Sequence, residues 1–238
     1  MKSSRTLFDR AFALSHALGA TVAATVPAAC LKDSPSALAA GQPLFQADIG
    51  TILVLGLYHD PAIPELDWWE KERSTLGDRL LRHINSELTD WFMITAKTET
   101  RDIPYQITDG GIYLKDAAVL AGLGVIGRNN LLLVPGFGPR IRFRALWVDL
   151  ELPQQPLLQH YHPCQDCKAP CHIQCPCDAF ASGTYMRERC QRRTDADKNA
   201  AQTKKTSDPS SSGATTHCRV CEIVCPAGIP NGQHPKVR

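Results

Sequence analysis

The sequence predicts an α/β domain followed by a small cysteine-rich domain. Up to about residue 150, amphipathic segments of helical length alternate with apolar runs of strand length. A segment rich in proline and glutamine follows at 153–163, and beyond it five cysteines crowd into residues 164–177. We therefore expect the first domain at residues 1–155 and the second at residues 156–238.

The composition is that of a globular protein without a strong charge. Of the 238 residues, 43% are apolar and 21% are charged, and the net charge is +2. Such a charge does not by itself favour nucleic acid or a membrane surface as partner. The alanine-rich stretch before Cys30 is similar to a secretion signal, but Asp9, Arg10 and His16 interrupt it. We expect a cytoplasmic protein with no membrane-spanning segment.

Apolar periodicity places the main elements of the first domain. Helices are predicted at 4–18 and 114–121, and a long one at 76–92, because apolar residues recur three and four positions apart. A short strand is predicted at 21–26. The nearly continuous apolar run at 51–58 indicates a central strand that is buried on both faces.

A glycine-rich segment lies between the last predicted helix and the last strands. Residues 122–129 read GLGVIGRN, with three glycines in six positions. Glycine lets the backbone approach a ligand closely or turn with positive φ. A dinucleotide fingerprint requires a strand before the glycines and a helix after them, and here the order is reversed. The strands that follow, 130–134 and a half-exposed 141–150, are predicted to pair as a hairpin.

The second domain contains two related cysteine motifs. Residues 164–176 read CQDCKAPCHIQCP and residues 218–226 read CRVCEIVCP. In such series the first thiolates bind one cubane cluster and the cysteine before proline binds the neighbouring cluster. This predicts two 4Fe-4S clusters, one held by Cys164, Cys167, Cys171 and Cys225, and the other by Cys175, Cys190, Cys218 and Cys221. The polar segment between the motifs, 191–216, is predicted to be a flexible insertion.

Three alternatives concern the same cysteines. A disulfide framework is typical of small secreted domains rather than of this cysteine spacing. Structural zinc suits the pairs Cys164/Cys167 and Cys218/Cys221, and nearby histidines could complete such a site, but zinc leaves both Cys-Pro steps without a purpose. Three residues, rather than two, separate Cys167 from Cys171, so a shifted turn would let Cys177 replace Cys175 as a ligand.

The glycine segment and the cysteine motifs, taken in this order, resemble the epoxyqueuosine reductase family, which is related to the corrinoid reductive dehalogenases. The resemblance implies a nitroreductase-like domain that binds cobalamin, followed by a ferredoxin-like domain whose two 4Fe-4S clusters pass electrons to the cobalt, which reduces the substrate. It implies that Gly122, Gly124, Gly127, Arg128 and Asn129 line the corrinoid, with Arg128 where the family usually has lysine. It also makes Asp109 the candidate proton donor, although an Asp-Gly-Gly turn equally explains this residue.

Two functions follow from this resemblance. The first is a cobalamin-dependent reductase that receives electrons from a ferredoxin or flavodoxin. The second is a ferredoxin-like carrier, or a reductive activator of a separate corrinoid protein, without substrate chemistry of its own. The family's tRNA-acting members continue into a helical-repeat domain after the second cysteine motif, whereas this sequence ends soon after Pro226. A tRNA substrate is therefore not expected.

Overall fold

The structure is a computed structural model that describes residues 3–40, 48–70, 74–207 and 213–229. The chain divides into two compact units, each built from three segments. The sheet unit comprises Met1–Tyr58, Leu80–Val125 and Ile141–Tyr161, and the cysteine unit comprises His59–Arg79, Ile126–Arg140 and His162–Arg238. The sequence predicts a domain boundary near residue 155, and the last passage of the chain between the two units, after Tyr161, lies close to it. Two earlier segments, His59–Arg79 and Ile126–Arg140, also belong to the cysteine unit.

The sheet unit is built on four antiparallel strands. Their order is β1-β2-β8-β5, and they span Val22–Pro27 (β1), Thr51–Tyr58 (β2), Ile141–Val148 (β8) and Thr100–Asp102 (β5). In the central pair, Thr51 lies opposite Val148 and Tyr58 opposite Ile141. The mixed helix-and-sheet class that the sequence predicts is confirmed.

Helices cover both faces of this sheet. The helices α1 (Ser4–Ala17) and α3 (Leu76–Ala96) bury Phe8, Leu88 and Phe92 against Leu53 and Leu146 of the two central strands. A third helix, α4 (Leu114–Leu120), contacts the same strands and buries Ala117 and Ala118. The central position of β2, buried on both faces over its first six residues, is thereby confirmed. The remaining helix of this unit, α2, spans Pro35–Ala40.

The last long strand differs from its prediction. The alternating arginines of 141–150 suggest a half-exposed hairpin partner of 130–134, but β8 pairs with β2 and β5, and seven of its eight residues are buried. Arg144 is accommodated in this buried strand because its guanidinium stacks on the ring of Tyr105, 5.1 Å from the centroid. The strand β7 (Leu132–Leu133) pairs instead with β6 (Val125–Ile126).

The cysteine unit has little regular structure. It contains the two-stranded pair β3 (Trp69–Glu70) and β4 (Ser74–Thr75), two single-turn helices, α5 (Pro170–Ile173) and α7 (Val220–Ile223), and the long helix α6 (Arg187–Ser207). Helix α6 occupies most of 191–216, for which the sequence predicts a flexible insertion. Polar residues of good helix propensity and the i,i+4 pair Arg193–Asp197 favour this helix, although none of its residues is buried.

In the part of the chain that the structure describes, no helix combines the length and the apolar character that crossing a membrane requires.

Candidate functional site

The two cysteine motifs fold into the same local structure. In each motif a single-turn helix, α5 or α7, precedes the Cys-Pro step, and the two helices pack against each other. The N–H of Cys175 donates to the carbonyl of His172, and the N–H of Cys225 donates to that of Glu222, both at 3.3 Å. The repeated spacing in the sequence therefore corresponds to two equivalent turns.

Four predicted ligands line one small cavity of the cysteine unit, which is partly open to solvent. These ligands are Cys164, Cys167, Cys171 and Cys225. Burial raises the pKa of the Cys171 thiol, and it raises the pKa of Cys225 to about 11; in both cases neighbouring thiols of this set add to the rise. Such close thiols disfavour ionisation of one another until a cation offsets their charge. We call this set the first quartet.

The other four predicted ligands are near enough for three of them to influence the charge of the fourth, Cys221. Burial raises the pKa of Cys221 to about 12, and the neighbouring Glu222 carboxylate and three further thiols add to this rise. The three thiols are those of Cys218, Cys190 and Cys175. We call these four cysteines the second quartet. Each predicted quartet thus contains the Cys-Pro cysteine of the other motif, and its role as a set of cluster ligands stays a prediction.

A fifth thiol borders the second quartet. The Sγ of Cys177 lies 3.6 Å from the Sγ of Cys175. Burial raises the pKa of Cys177 to about 11, and the hydrogen bond to Cys175 and the charge of Cys190 contribute. The N–H of Ala179 donates to the Sγ of Cys175 at 3.4 Å, which orients this sulfur. Cys177 is thus placed where it could exchange with Cys175 as a ligand, and the exchange stays a prediction.

The arrangement of these thiols differs from that of a single-ion site. All ten cysteines are free thiols. Among the described residues, no group of three or more His, Cys, Asp and Glu side chains is arranged to hold one metal ion. Structural zinc requires four ligands around one ion, whereas the four cysteines of a cubane cluster each bind a different iron. The two quartets are compatible with the second arrangement.

Arg140 supports the loop that carries Cys225, and no local sequence pattern indicates this residue. Its side chain is only 2% exposed. The guanidinium donates to the carbonyls of Cys225 at 2.8 Å and of Ala227 at 3.0 Å, with longer contacts to the carbonyls of Glu222 and Ile223. A buried cation therefore stabilises the last carbonyls of α7 and the Cys-Pro step after it.

A second buried charge network supports the loop between Cys218 and Cys221. The guanidinium of Arg219 pairs with Asp67 and with Glu222, and these side chains are about 5% to 11% exposed. The other carboxylate oxygen of Asp67 lies 2.8 Å from Nδ1 of the buried His59. No periodic pattern connects these residues, because Asp67 and Arg219 are far apart in the sequence; only the charged residues beside the cysteines could have drawn attention to them.

Arg128 and Asn129 contact the cysteine loops. The backbone N–H of Arg128 donates to the Sγ of Cys164 at 3.5 Å, and its guanidinium donates to the carbonyl of Cys167 at 3.1 Å. The Nε2 of His172 lies 2.9 Å from the carbonyl of Arg128. The side-chain amide of Asn129, a buried residue, donates to the carbonyl of Cys221 at 3.2 Å. Both residues therefore position the cysteine loops, and their contact with a corrinoid stays a prediction.

The three glycines of this segment divide between the units. Gly122 and Gly124 belong to the sheet unit, and Gly127 belongs to the cysteine unit. Gly122 has φ +76°, and a Cβ there would lie 2.8 Å from the carbonyl oxygen of Pro156. A Cβ on Gly127 would lie 2.7 Å from the side chain of Leu133. For Gly122 and Gly127, close packing within each unit is therefore sufficient to explain glycine.

Asp109 ends a short 3-10 turn in the sheet unit, and it is exposed. Its N–H donates to the carbonyl of Gln106, and Gly110 follows it with φ +89°. Gly111 leaves no room for a Cβ beside the carbonyls of Pro104 and Gln106. This geometry is that of the Asp-Gly-Gly turn, and a proton-donating role for Asp109 stays a prediction.

Comparison with solved structures identifies the fold. Epoxyqueuosine reductase from Bacillus subtilis superposes with a TM-score of 0.63 and 15% identity, over 97% of this chain and 67% of that chain. The chain has the fold of epoxyqueuosine reductases and reductive dehalogenases. For the catabolic reductive dehalogenase NpRdhA, the TM-score is 0.63 and the identity 19%, over 92% of this chain and 31% of that chain. The resemblance that the sequence motifs indicate is thereby confirmed at the level of the fold.

Curated relatives also match in sequence. Tetrachloroethene reductive dehalogenase from Desulfitobacterium hafniense is 44% identical over 66 residues, which are 27% of this chain and 12% of that protein. The match thus covers a small part of the dehalogenase. No protein-family model matches the chain.

Proposed function

We propose that this protein is an iron–sulfur oxidoreductase, whose cysteine unit is a ferredoxin-like domain with two 4Fe-4S clusters. One cluster would be bound by the first quartet and the other by the second. The observation that carries the proposal is the grouping of eight cysteines into two sets of four, each with one Cys-Pro ligand from the other motif. The fold of known reductases supports it. When bound, such clusters supply one-electron transfer.

The residues around the quartets would hold the clusters and adjust their potentials. Backbone N–H groups donate to the sulfurs of Cys164 and Cys175, and hydrogen bonds of this kind favour the reduced, more negative cluster. The guanidinium of Arg140 places a positive charge beneath Cys225. The carboxylate of Glu222 places a negative charge beside Cys221.

We further propose that the sheet unit is a nitroreductase-like domain that binds a corrinoid. This part rests on the fold and on the B12-dependent dehalogenation that is named for one structural neighbour with a TM-score of 0.50. Gly122, Gly124, Gly127, Arg128 and Asn129 would be its contacts. Asp109 would donate a proton to the substrate; in the Bacillus subtilis reductase, a catalytic loop with an aspartate can swing out of the active site.

The substrate class differs among the neighbours. One epoxyqueuosine reductase was solved with a modified tRNA stem loop, and NpRdhA was solved with 3-bromo-4-hydroxybenzoic acid. For this chain we propose a small organic molecule or a corrinoid as the final acceptor, and a cytoplasmic ferredoxin or flavodoxin as the donor.

A second candidate is an electron carrier or reductive activator of a separate corrinoid protein. Two observations favour this candidate. The side chains of Arg128 and Asn129 donate hydrogen bonds to the cysteine loops, and Gly122 and Gly127 are closely packed within their own units. In this case the sheet unit would serve for docking rather than for binding a corrinoid.

Anaerobic reconstitution with iron and sulfide tests the iron–sulfur proposal. We expect about eight iron and eight sulfide per chain. Cys171→Ser and Cys221→Ser each remove a ligand from a different quartet, so each variant should retain about four iron. A zinc-containing protein, or iron that is unaffected by both substitutions, would contradict the proposal.

Titration of the reconstituted protein with cobalamin separates the two candidates. A base-off absorption spectrum with the wild type, weakened in Gly124→Val, would support the reductase. Reduction of an added corrinoid protein, without cobalamin binding by the chain itself, would instead support the carrier.

A further inference from the structure

Helix α6 concentrates positive charge in a chain that is otherwise slightly acidic. Its 21 residues include seven Lys or Arg and three Asp or Glu. The whole chain has a net charge of only +2, so the rest of the chain is net negative. A helix that is polar on all sides and has no buried residue gains little from packing. The stability of α6 therefore does not explain its positive charge.

The arginines of α6 surround a predicted cluster ligand. Cys190 belongs to the second quartet, and four arginines lie within three residues of it in the sequence RERCQRR. They are Arg187, Arg189, Arg192 and Arg193. The strongest positive charge of the helix thus coincides with the point at which α6 reaches the second quartet.

One face of α6 is anchored to the cysteine unit. The half-buried residues Cys190, Thr194, Asp197, Lys198 and Ala201 recur at helical spacing. Asp197 accepts a hydrogen bond from the N–H of Cys218 at 3.2 Å, and the ammonium of Lys198 lies 4.7 Å from the ring centroid of Trp69. These contacts orient the helix.

The exposed charged residues of α6 are mostly cationic. Its exposed cations are Arg187, Arg192, Arg193, Lys204 and Lys205, and its exposed acids are Glu188 and Asp195. Of these, Arg193 pairs with Asp197 at 2.9 Å. Arg187 and Arg192 are exposed and flank Cys190 in the sequence.

We propose that the exposed arginines of α6 beside Cys190 form the docking surface for an acidic one-electron donor protein, which delivers its electron to the cluster of the second quartet. The inference rests on the proposed function, because it requires that cluster. A donor must come close to the cluster that it reduces, and the cations flank a ligand of that cluster. A surface of one sign next to a redox centre attracts a partner of opposite sign and accelerates its encounter.

Other occupants suit this surface less well. Surfaces that bind single-stranded nucleic acid combine cations with aromatic side chains on which bases stack, and α6 contains no aromatic residue. A helix that lies on a membrane needs an apolar face, which α6 lacks. An RNA substrate would also have no reason to approach a cluster ligand rather than the site of reduction.

Stopped-flow reduction of the reconstituted full chain by reduced plant-type ferredoxin, an acidic one-electron donor, tests the inference. The charge-reversal variant R187E/R192E should lower the second-order rate constant at least about tenfold at low ionic strength. The wild-type rate should fall steeply as salt is added. The control R5E/K97E makes the same change in net charge at exposed positions of the sheet unit and should stay within about twofold of the wild type.

Two further measurements separate a failed docking surface from a failed function. Both variants should retain about eight iron and should be reduced by dithionite, which needs no docking surface, at the wild-type rate. If they do, and R187E/R192E still accepts electrons from ferredoxin as the wild type does, the docking inference is wrong while the iron–sulfur proposal stands. If the wild type binds no clusters, the iron–sulfur proposal and the docking inference are both wrong. If R187E/R192E loses tRNA binding while its rate of reduction by ferredoxin is unchanged, these arginines bind RNA instead.

Discussion

Replacement of Arg140 by methionine should destabilise the cysteine unit and remove one cluster. Arg140→Met keeps most of the apolar length of the side chain but leaves the carbonyls of Cys225 and Ala227 without their donor. Each hydrogen bond from a charged donor contributes roughly 1.5 kcal/mol or more, so the loss is about 3 kcal/mol. With a urea dependence of about 2 to 3 kcal/mol per molar for a chain of this size, the unfolding midpoint should fall by about 1 to 1.5 M.

Two measurements check this expectation. Urea unfolding of the metal-free protein, followed by circular dichroism, gives the midpoint. Anaerobic reconstitution gives the iron content, which should fall from about eight to about four because Cys225 is no longer held in the first quartet. Arg128→Met is the matched control: its exposed guanidinium makes one bond to a carbonyl, so its midpoint should change by less than about 0.5 M. Equal midpoint shifts in the two variants would refute the argument from burial.

Three further predictions concern the cysteine, glycine and aspartate positions. Cys177→Ser should keep about eight iron per chain, whereas Cys175→Ser should lose about four; the reverse result would make Cys177 the ligand. Gly122→Ala should destabilise the protein by about 2 to 3 kcal/mol, since positive φ and the nearby Pro156 carbonyl both oppose a Cβ, while Gly110→Ala, with open space around it, should cost about 1 kcal/mol in urea unfolding. Asp109→Asn should abolish turnover with a reducible substrate while leaving cluster content unchanged; retained turnover would assign Asp109 to the turn alone.

The elements that were predicted correctly are those whose pattern is local. Leu7 and Ala11 are buried in α1, which begins at the predicted residue and ends one residue early. The apolar run Thr51–Tyr58 is a strand with the predicted bounds, because only a central strand buries consecutive side chains on both faces. The two cysteine motifs are also local patterns, and each folds into a single-turn helix before its Cys-Pro step, whereas the ligand sets stay a prediction.

The errors arise where tertiary contacts override the local pattern. Arg144 suggests an exposed strand, but stacking on Tyr105 lets its charge remain in a buried one. The polar composition of α6 predicts an unstructured insertion, yet helix propensity and anchoring through Asp197 to the N–H of Cys218 are enough to form a helix. Arg140 could not be found from the sequence, because its partners are backbone carbonyls of a loop more than eighty residues away.

The exchange of Cys-Pro residues between the motifs has a consequence for biosynthesis. Three cysteines of the first quartet are translated by residue 171, but the fourth, Cys225, is translated only after α6, as part of the second motif. A nascent chain therefore offers an incomplete set of sulfurs until the second motif has left the ribosome. A scaffold that donates the proposed clusters would therefore have to act after residue 225 has been translated, on the pair of motifs rather than on the first motif alone.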